Sequence, residues 1–410
     1  MELSRHIRAT GMMVMLLLAG SVGAVCPPGD LNRDCRVDHL DLALLAAQWL
    51  SEPNGIDDLS DDAIINAVDL AVLANHWREI GCPIVINELL AHSHGPAPDW
   101  VELHNISSVP VDISGWFLSD DERDLYQFQI EDGTVIEPNG YVLFYEDTQF
   151  GNPYHPGTRS RFALSKYGEM LSVYSGDDER FGGCLVLERF GPSETWVTFG
   201  RHQTSMGTYV FVPMSEPTPG RANAHPLVGP LVINEIMYNP PGHPDAQYVE
   251  LLNVSGTLLA LLDFWSLETW RFTTDGGIDF AFSREEPVML EPGEHILLVK
   301  DAARVRQMYT IPAHAQIFEW GPGRLSDRGE RMCLLKPKDV DDAGRQYWIE
   351  VDWIHYSNGT PPEDSADGAD PWPSEADGLG PSLNRIFPSQ YGDDPGNWHA
   401  TIPTPGSTND

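Results

Sequence analysis

Asp30-Leu31-Asn32-Arg33-Asp34-Cys35-Arg36-Val37-Asp38-His39-Leu40-Asp41 sets oxygen-bearing side chains at positions 1, 3, 5, 9 and 12 of a loop, and position 7 can offer only its backbone carbonyl. It runs directly into Leu42-Ala43-Leu44-Leu45-Ala46-Ala47-Gln48-Trp49-Leu50, a short apolar run that reads as a helix. A hard cation such as calcium takes roughly six to eight oxygen ligands and dehydrates readily into a flexible loop, which is what this spacing supplies. The pattern returns 28 residues on, at Asp58, Ser60, Asp62, Ile64, Asn66 and Asp69, and its helix returns as Leu70-Ala71-Val72-Leu73-Ala74-Asn75-His76-Trp77. One acidic turn arises by chance. A duplicated turn with a duplicated helix, Trp49 matching Trp77, does not.

The pair resembles a type I dockerin, the small calcium-binding module that attaches extracellular enzymes and scaffold proteins to cohesin domains. The likeness covers roughly residues 29–82: loop then helix, duplicated, with no helix entering either loop and Asp rather than Glu at position 12. It implies two calcium ions. Asp30, Asn32, Asp34, Asp38 and Asp41 with the carbonyl of Arg36 would hold one; Asp58, Ser60, Asp62, Asn66 and Asp69 with the carbonyl of Ile64 would hold the other. It also implies a cohesin-like protein, or another cell-surface protein, as partner. At positions 10 and 11, where cohesin-contacting dockerins often carry Ser-Thr, this chain has His39-Leu40 and Ala67-Val68. The competing reading is that the metals only fold a module too small to bury a core of its own.

Composition narrows the rest. With 410 residues the chain has room for two to four domains, and 41% hydrophobic residues with 12 Trp, 13 Tyr and 15 Phe supply packed cores. Against 61 Asp and Glu stand 25 Lys and Arg, a net charge of −36. Such a surface repels nucleic-acid phosphates and anionic headgroups. Residues 1–24 read as a secretory signal, with Arg5 and Arg8 ahead of a short apolar run and Val22-Gly23-Ala24 before the cut. The run is too short to span a bilayer, and no other stretch reaches spanning length, so no transmembrane segment is expected after signal removal. Gly23-Ala24-Val25 lacks the Leu that a lipoprotein signal carries three residues before its cysteine. Export permits disulfides among Cys26, Cys35, Cys82, Cys184 and Cys333. Cys26 and Cys82 bracket the loops, and a pseudo-twofold module would bring its ends together, which favours Cys26–Cys82 with Cys35 a rival partner for either. The odd count leaves at least one thiol unpaired or joined to another molecule.

After Cys82 the texture becomes short alternating runs separated by Gly, Pro, Asn and Asp, a β-sandwich pattern. Strands are expected at residues 84–89, 99–105, 111–118, 140–144, 162–165, 170–174 and 195–199, closing on Pro217-Thr218-Pro219-Gly220-Arg221-Ala222-Asn223. The series then repeats: Val232-Ile233-Asn234-Glu235-Ile236 matches residues 85–89, and Tyr248-Val249-Glu250-Leu251-Leu252-Asn253 matches 100–105. Leu325-Ser326 with Gly329-Glu330 matches Leu164-Ser165 with Gly168-Glu169, and Pro403-Thr404-Pro405-Gly406-Ser407-Thr408-Asn409 matches the close. Both copies resemble the lamin tail domain, an immunoglobulin-like sandwich. The motifs are Ile-Asn-Glu, the aromatic-Val-Glu-Leu strand ending in Asn, Asp112-Ile113-Ser114-Gly115-Trp116 in the first copy, and the closing Pro-Thr-Pro-Gly. The second copy departs at Leu262-Asp263-Phe264-Trp265-Ser266-Leu267, where the Ser-Gly-Trp turn is lost.

The expected architecture is therefore mainly β: two immunoglobulin-like β-sandwiches preceded by a small all-α duplicated calcium-loop-helix module. The expected spans are signal peptide 1–24, dockerin-like module 25–82, first sandwich 83–224, linker 225–230 and second sandwich 231–410, with an acidic Pro/Gly-rich insertion at about 357–381. No nucleophile elbow, His-Glu-x-x-His, phosphate-cradling or dinucleotide motif is present. The paired Asn87-Glu88 and Asn234-Glu235, with Glu102 and Glu250, read as structural groups bonding a crossing loop rather than as catalytic acids. His92-Ser93-His94 near Asp99 reads as a loop rather than a metal site. The expected role is non-catalytic: attachment or scaffolding outside the cell or at its surface, in polysaccharide-degrading machinery if the dockerin likeness carries that far. The alternative is a carbohydrate-binding protein with a glycan partner; a hydrolase with its site in the sandwich loops ranks third.

Overall fold

The computed structural model of the chain describes residues 26–50, 58–60, 62–79, 81–175, 184–341, 343–360 and 370–409. Residues 1–25, which include the span read as a signal, and residues 361–369 of the acidic insertion lie outside the described residues. Among those described, no helix is long and apolar enough to cross a membrane.

The N-terminal module consists of two nine-residue helices, α1 (His39–Ala47) and α2 (Ala67–Asn75), each following its loop. Its core is small: Leu31, Val37, Leu45, Ile65 and Leu73, with Leu59 packed against them.

The first sandwich is built around Ile84–Leu90, a strand buried along its whole length. The β-branched residues at its start suit a pleated surface covered on both sides. One antiparallel sheet runs Tyr209–Pro213, Phe199–Gln203, Ile84–Leu90, Trp100–Asn105, Tyr141–Tyr145. The facing sheet runs Phe128–Gln129, Phe117–Ser119, Glu169–Tyr174, Leu185–Phe190. Ile84, Ile86, Val101 and Leu103 from one meet Leu118, Phe128, Leu171 and Val186 from the other in a single core. Asp112, expected to lie within one strand, instead ends Val111–Asp112, because its carboxylate accepts from both the N–H and the hydroxyl of Ser114 and Gly115 turns the chain at φ +76°. Residues 162–165 form no strand but send Phe162 and Leu164 into the core. Trp196, at φ +67°, delays the next strand to Phe199.

The second sandwich repeats this order. Leu231–Met237 pairs with Tyr248–Asn253 and Ser382–Arg385, flanked by His295–Val299 and Trp398–Thr401. The other sheet runs Asp279–Ala281, Arg271–Thr274, Gly329–Val340, Gln346–Ser357. Two additions distinguish it: Gln316–Glu319, which joins the sheet parallel after helix α3 (Ala302–Met308), and a hairpin of two twelve-residue strands. The protein is thus mainly β, with two immunoglobulin-like sandwiches of matching topology.

The cysteines correct one expectation. Cys26 is bonded to Cys35 and Cys82 to Cys184; Cys333 is free and buried. The module's ends do meet: Val37 N–H donates to the Glu79 carbonyl at 3.0 Å and Gly81 N–H to that of Cys35 at 2.9 Å. Cys82, however, lies at the entry to the first strand and packs into the sandwich core, beside Cys184 rather than Cys26. Non-reducing peptide mapping is expected to recover these two pairs, with Cys333 alkylated only after denaturation. Cys184→Ser should destabilise the first sandwich by about 4 kcal/mol, since the Cys82–Cys184 bridge spans 102 residues and loops of that length restrict the unfolded chain most. A Cys26–Cys82 peptide would contradict this arrangement.

Candidate metal-binding loops and the buried carboxylate pairs

The two loops share one hydrogen-bonding scheme. Asp41, fully buried, accepts from Leu31 N (2.8 Å) and Asn32 N (3.1 Å) on Oδ1 and from Asp38 N (2.8 Å) on Oδ2. Asp69, equally buried, accepts from Leu59 N (2.8 Å) and Ser60 N (3.0 Å) on Oδ1 and from Asn66 N (2.7 Å) on Oδ2. Position 12 is thus also the third residue of its helix, closing a capping box with Asp38 or Asn66 at the N-cap. The position-1 carboxylates likewise gather loop N–H groups: Asp30 from Asp34 and Cys35, Asp58 from Asp62 and Ala63. Asn32 Oδ1 accepts from Asp34 N, Asp34 Oδ1 from Arg36 N, and Asp62 Oδ1 from Ile64 N. The carbonyl of Ile64 accepts from Asn66 Nδ2 at 3.1 Å.

Carboxylate oxygens of Asp58, Asp62 and Asp69 all lie within 4.8 Å of one another. In the first loop it is the Cys26 and Cys35 sulfurs that lie this close to Asp30, and bonded to each other they are no metal donors. Burial pushes the Asp30 carboxyl up, and Asp34 and Asp41 add to it, against the N–H groups of Cys35 and Asp34. At Asp69 burial pushes the same way but is outweighed by its N–H donors, which hold it low. An all-oxygen donor set around a buried aspartate suits a hard divalent cation and offers nothing to a soft one.

Backbone geometry repeats with the same offset. Cys35 and Ala63, both at position 6, take φ +60° and +65°; Leu50 and Arg78, each after its helix, take +59° and +70°. Calcium loops place Gly at position 6 for this turn, so non-glycine residues carry strain here in both loops. The Cys26 bridge helps to fix it in the first. Leu50 N–H donates to the Ile65 carbonyl and Arg78 N–H to that of Val37, the crossed pairing of a pseudo-twofold unit. Sequence reading missed one link: Ser108 of the first sandwich donates its N–H to the Arg33 carbonyl (2.7 Å) and its hydroxyl to that of Asn32 (3.0 Å). No residue pattern signals that contact, because it depends on how the module docks.

The acids repeated in both sandwiches occupy a different role. Asn87 and Asn234 sit at β-bulges, where the strand register shifts between Ile86 and Glu88 and between Ile233 and Glu235. A bulge re-aims its side chain. Asn87 Nδ2 donates to Glu102 (2.7 Å) and Asn223 (2.7 Å); Asn234 Nδ2 donates to Glu250 (2.8 Å) and Asn409 (3.2 Å). Glu88 accepts from the hydroxyls of Thr198 (2.5 Å) and Thr218 (2.6 Å), and Glu235 from those of Tyr248 and Ser382 (both 2.5 Å). Gly220 N–H reaches Glu102, and Gly406 N–H reaches Glu250 at 2.6 Å. The four carboxylates therefore hold the closing Pro-Thr-Pro-Gly loops, and all are sealed from solvent. Burial, with a contribution from the carboxylate opposite in register, Glu88 or Glu235, pushes Glu102 to about 7 and Glu250 to about 8. No substrate could reach them. His92 is also engaged, with Nδ1 3.0 Å from the Ser193 carbonyl and Nε2 3.3 Å from the Thr195 hydroxyl.

With this geometry in hand, the comparisons place part of the chain. Residues 81–179 match the profile of the Lamin Tail Domain family, so the first sandwich carries a lamin tail domain. No curated protein matches the chain. Among solved structures, a DUF4876 family protein from Bacteroides thetaiotaomicron is similar at 12% identity, over 70% of this chain and 87% of that one, with a TM-score of 0.24.

Proposed function

We propose that this is an exported, non-catalytic attachment or scaffold protein whose N-terminal module binds two calcium ions and presents its helices to a protein partner of cohesin type. The observation that carries the reading is that the three backbone N–H bonds onto buried Asp41 recur one for one on buried Asp69. The first ion would be held by Asp30, Asn32, Asp34, Asp38, Asp41 and the Arg36 carbonyl, the second by Asp58, Ser60, Asp62, Asn66, Asp69 and the Ile64 carbonyl. The cation neutralises carboxylates that otherwise repel one another at close range. A partner surface is supplied by what the small core leaves outside: Leu40, Leu42, Leu44, Trp49, Val68, Leu70 and Trp77 are all exposed. That density of apolar side chains on so small a unit marks an interaction face.

The test is a pull-down from the native secretome with the full-length protein as bait. Partner recovery should require millimolar calcium, vanish in chelator, and fall at least tenfold in Leu44→Asp/Trp77→Asp, a pair of exposed positions outside the loops. Recovery that ignores both would refute docking through the module. The same preparation is expected to show no turnover of polysaccharides, phosphoesters or peptides above blank. A rate lost in Glu88→Gln with folding intact would replace the scaffold reading with an enzymatic one.

A further inference from the structure

A cavity of about 630 Å³ lies where the two sandwiches meet, closed on one side by residues 226–230 of the linker. Its walls are Leu185–Phe190, Phe199–Gln203 and Tyr209–Pro213 of the first sandwich and the long hairpin of the second. The junction is a fixed one. Glu194 bridges Lys336 (2.5 Å) and Lys338 (3.2 Å), Tyr167 stacks on Tyr347 with centroids 4.2 Å apart, and Ser205 N–H donates to Asp394 at 2.8 Å. The volume falls within the range of small-molecule sites, roughly 300–1,000 Å³.

The lining decides the chemistry. Six charged residues reach the cavity, and each is already in an ion pair: Arg189 with Glu122, Lys336 with Glu194, Arg331 with Glu350, and Asp352 with Arg385. No uncompensated charge is left to select a charged ligand. The remaining surface is apolar and aromatic, including Phe211, Trp348 and Trp353, all three only partly buried. Guanidinium groups cover one face of each tryptophan, Arg271 at 4.6 Å from Trp348 and Arg331 at 5.0 Å from Trp353, so neither offers two free faces for stacked sugar rings. Tyr391 also lines the cavity, but its hydroxyl is buried beyond the reach of a ligand atom there. From the paired charges and the apolar, aromatic walls, we infer that the inter-sandwich cavity binds a small neutral apolar molecule.

The probe is N-phenyl-1-naphthylamine, a neutral apolar fluorophore, titrated into the full-length protein in saturating calcium. One saturable site per chain is expected, with energy transfer from tryptophan. Leu227→Trp fills the cavity from the linker, and Leu227 is exposed enough for the larger ring to leave folding intact, which circular dichroism checks. It should weaken the probe at least tenfold; Val254→Phe, which enters from beside Gly229 and Pro230, should do the same if Leu227→Trp misfolds. 1-Octanol should displace the probe at least tenfold more effectively than octanoate. Absence of saturable binding, indifference to both filling variants, stronger displacement by octanoate, or displacement by cello- or chito-oligosaccharides would each overturn the assignment.

Discussion

Chelation of the full-length protein is expected to unfold the N-terminal module while both sandwiches stay folded. The module's five core residues bury too little apolar surface to offset the ordering of about fifty residues. Helices α1 and α2, at nine residues each, do not persist alone in water. Their N-termini depend on Asp41 and Asp69, which without a cation face other carboxylates. On the proposed calcium reading, metal binding is part of the folding free energy. At calcium one hundred times the dissociation constant each site contributes about 2.7 kcal/mol, roughly 5 kcal/mol for the pair. Calorimetry should show two ions bound, and Asp41→Ala or Asp69→Ala should each remove one. Far-ultraviolet circular dichroism should lose its helical component in chelator and regain it with calcium, while the sandwiches melt at an unchanged upper transition. The experiment needs the whole chain, since a cut after residue 82 would sever Cys82 from Cys184 and the Asn32 and Arg33 carbonyls from Ser108. Equal helicity with and without chelator would show that the loops are only acidic turns.

How much of this was legible in the chain depends on the range over which each feature is determined. The loops were readable because their bonds are local: Asp41 closes on residues 31, 32 and 38, all within the quoted stretch. The sandwiches were readable because the same strand pattern occurs twice, and duplication tests a reading that one copy leaves open. Leu185–Phe190 went unseen, a strand whose alternation is interrupted by Glu188 and Arg189 and whose place is set by pairing with Glu169–Tyr174. The disulfides were misassigned for a related reason. Pseudo-twofold symmetry does bring the module's ends together, but nothing local records that Cys82 turns into the next domain. The inter-sandwich cavity has no sequence signature, because its walls come from strands and a linker spread over residues 189–391.

In saturating calcium the sandwiches are expected to lose stability as pH rises from 5 to 9, by an amount on the order of 10 °C in Tm. Glu102 and Glu250 are raised by burial and by the carboxylate opposite each, to about 7 and about 8, against an ordinary glutamate value of 4.5. Between 4.5 and these values the folded protein holds protons that the unfolded chain has released. The stability this contributes is complete below 4.5 and is lost as pH climbs through 7 and 8. Glu169, Glu188 and Asp393, each raised by burial to about 7, act with the same sign. Glu194 does not oppose them in this window: burial is outweighed there by Lys336 and Lys338, which hold it below its ordinary value, so its contribution is already complete at pH 5. The pair in the second sandwich can be isolated with Glu250→Gln. The amide oxygen can still accept from Gly406 N–H; the new NH2 takes the place that accepted from Asn234 Nδ2, so the Asn234 amide must turn over to present its unpartnered Oδ1, giving up its hydrogen bond to Asn409. The variant should therefore fall within about 1 kcal/mol of wild type at pH 5, melt above it at pH 9, and show a shallower dependence between. Identical slopes for the two proteins would mean that Glu250 is ionised in the fold throughout.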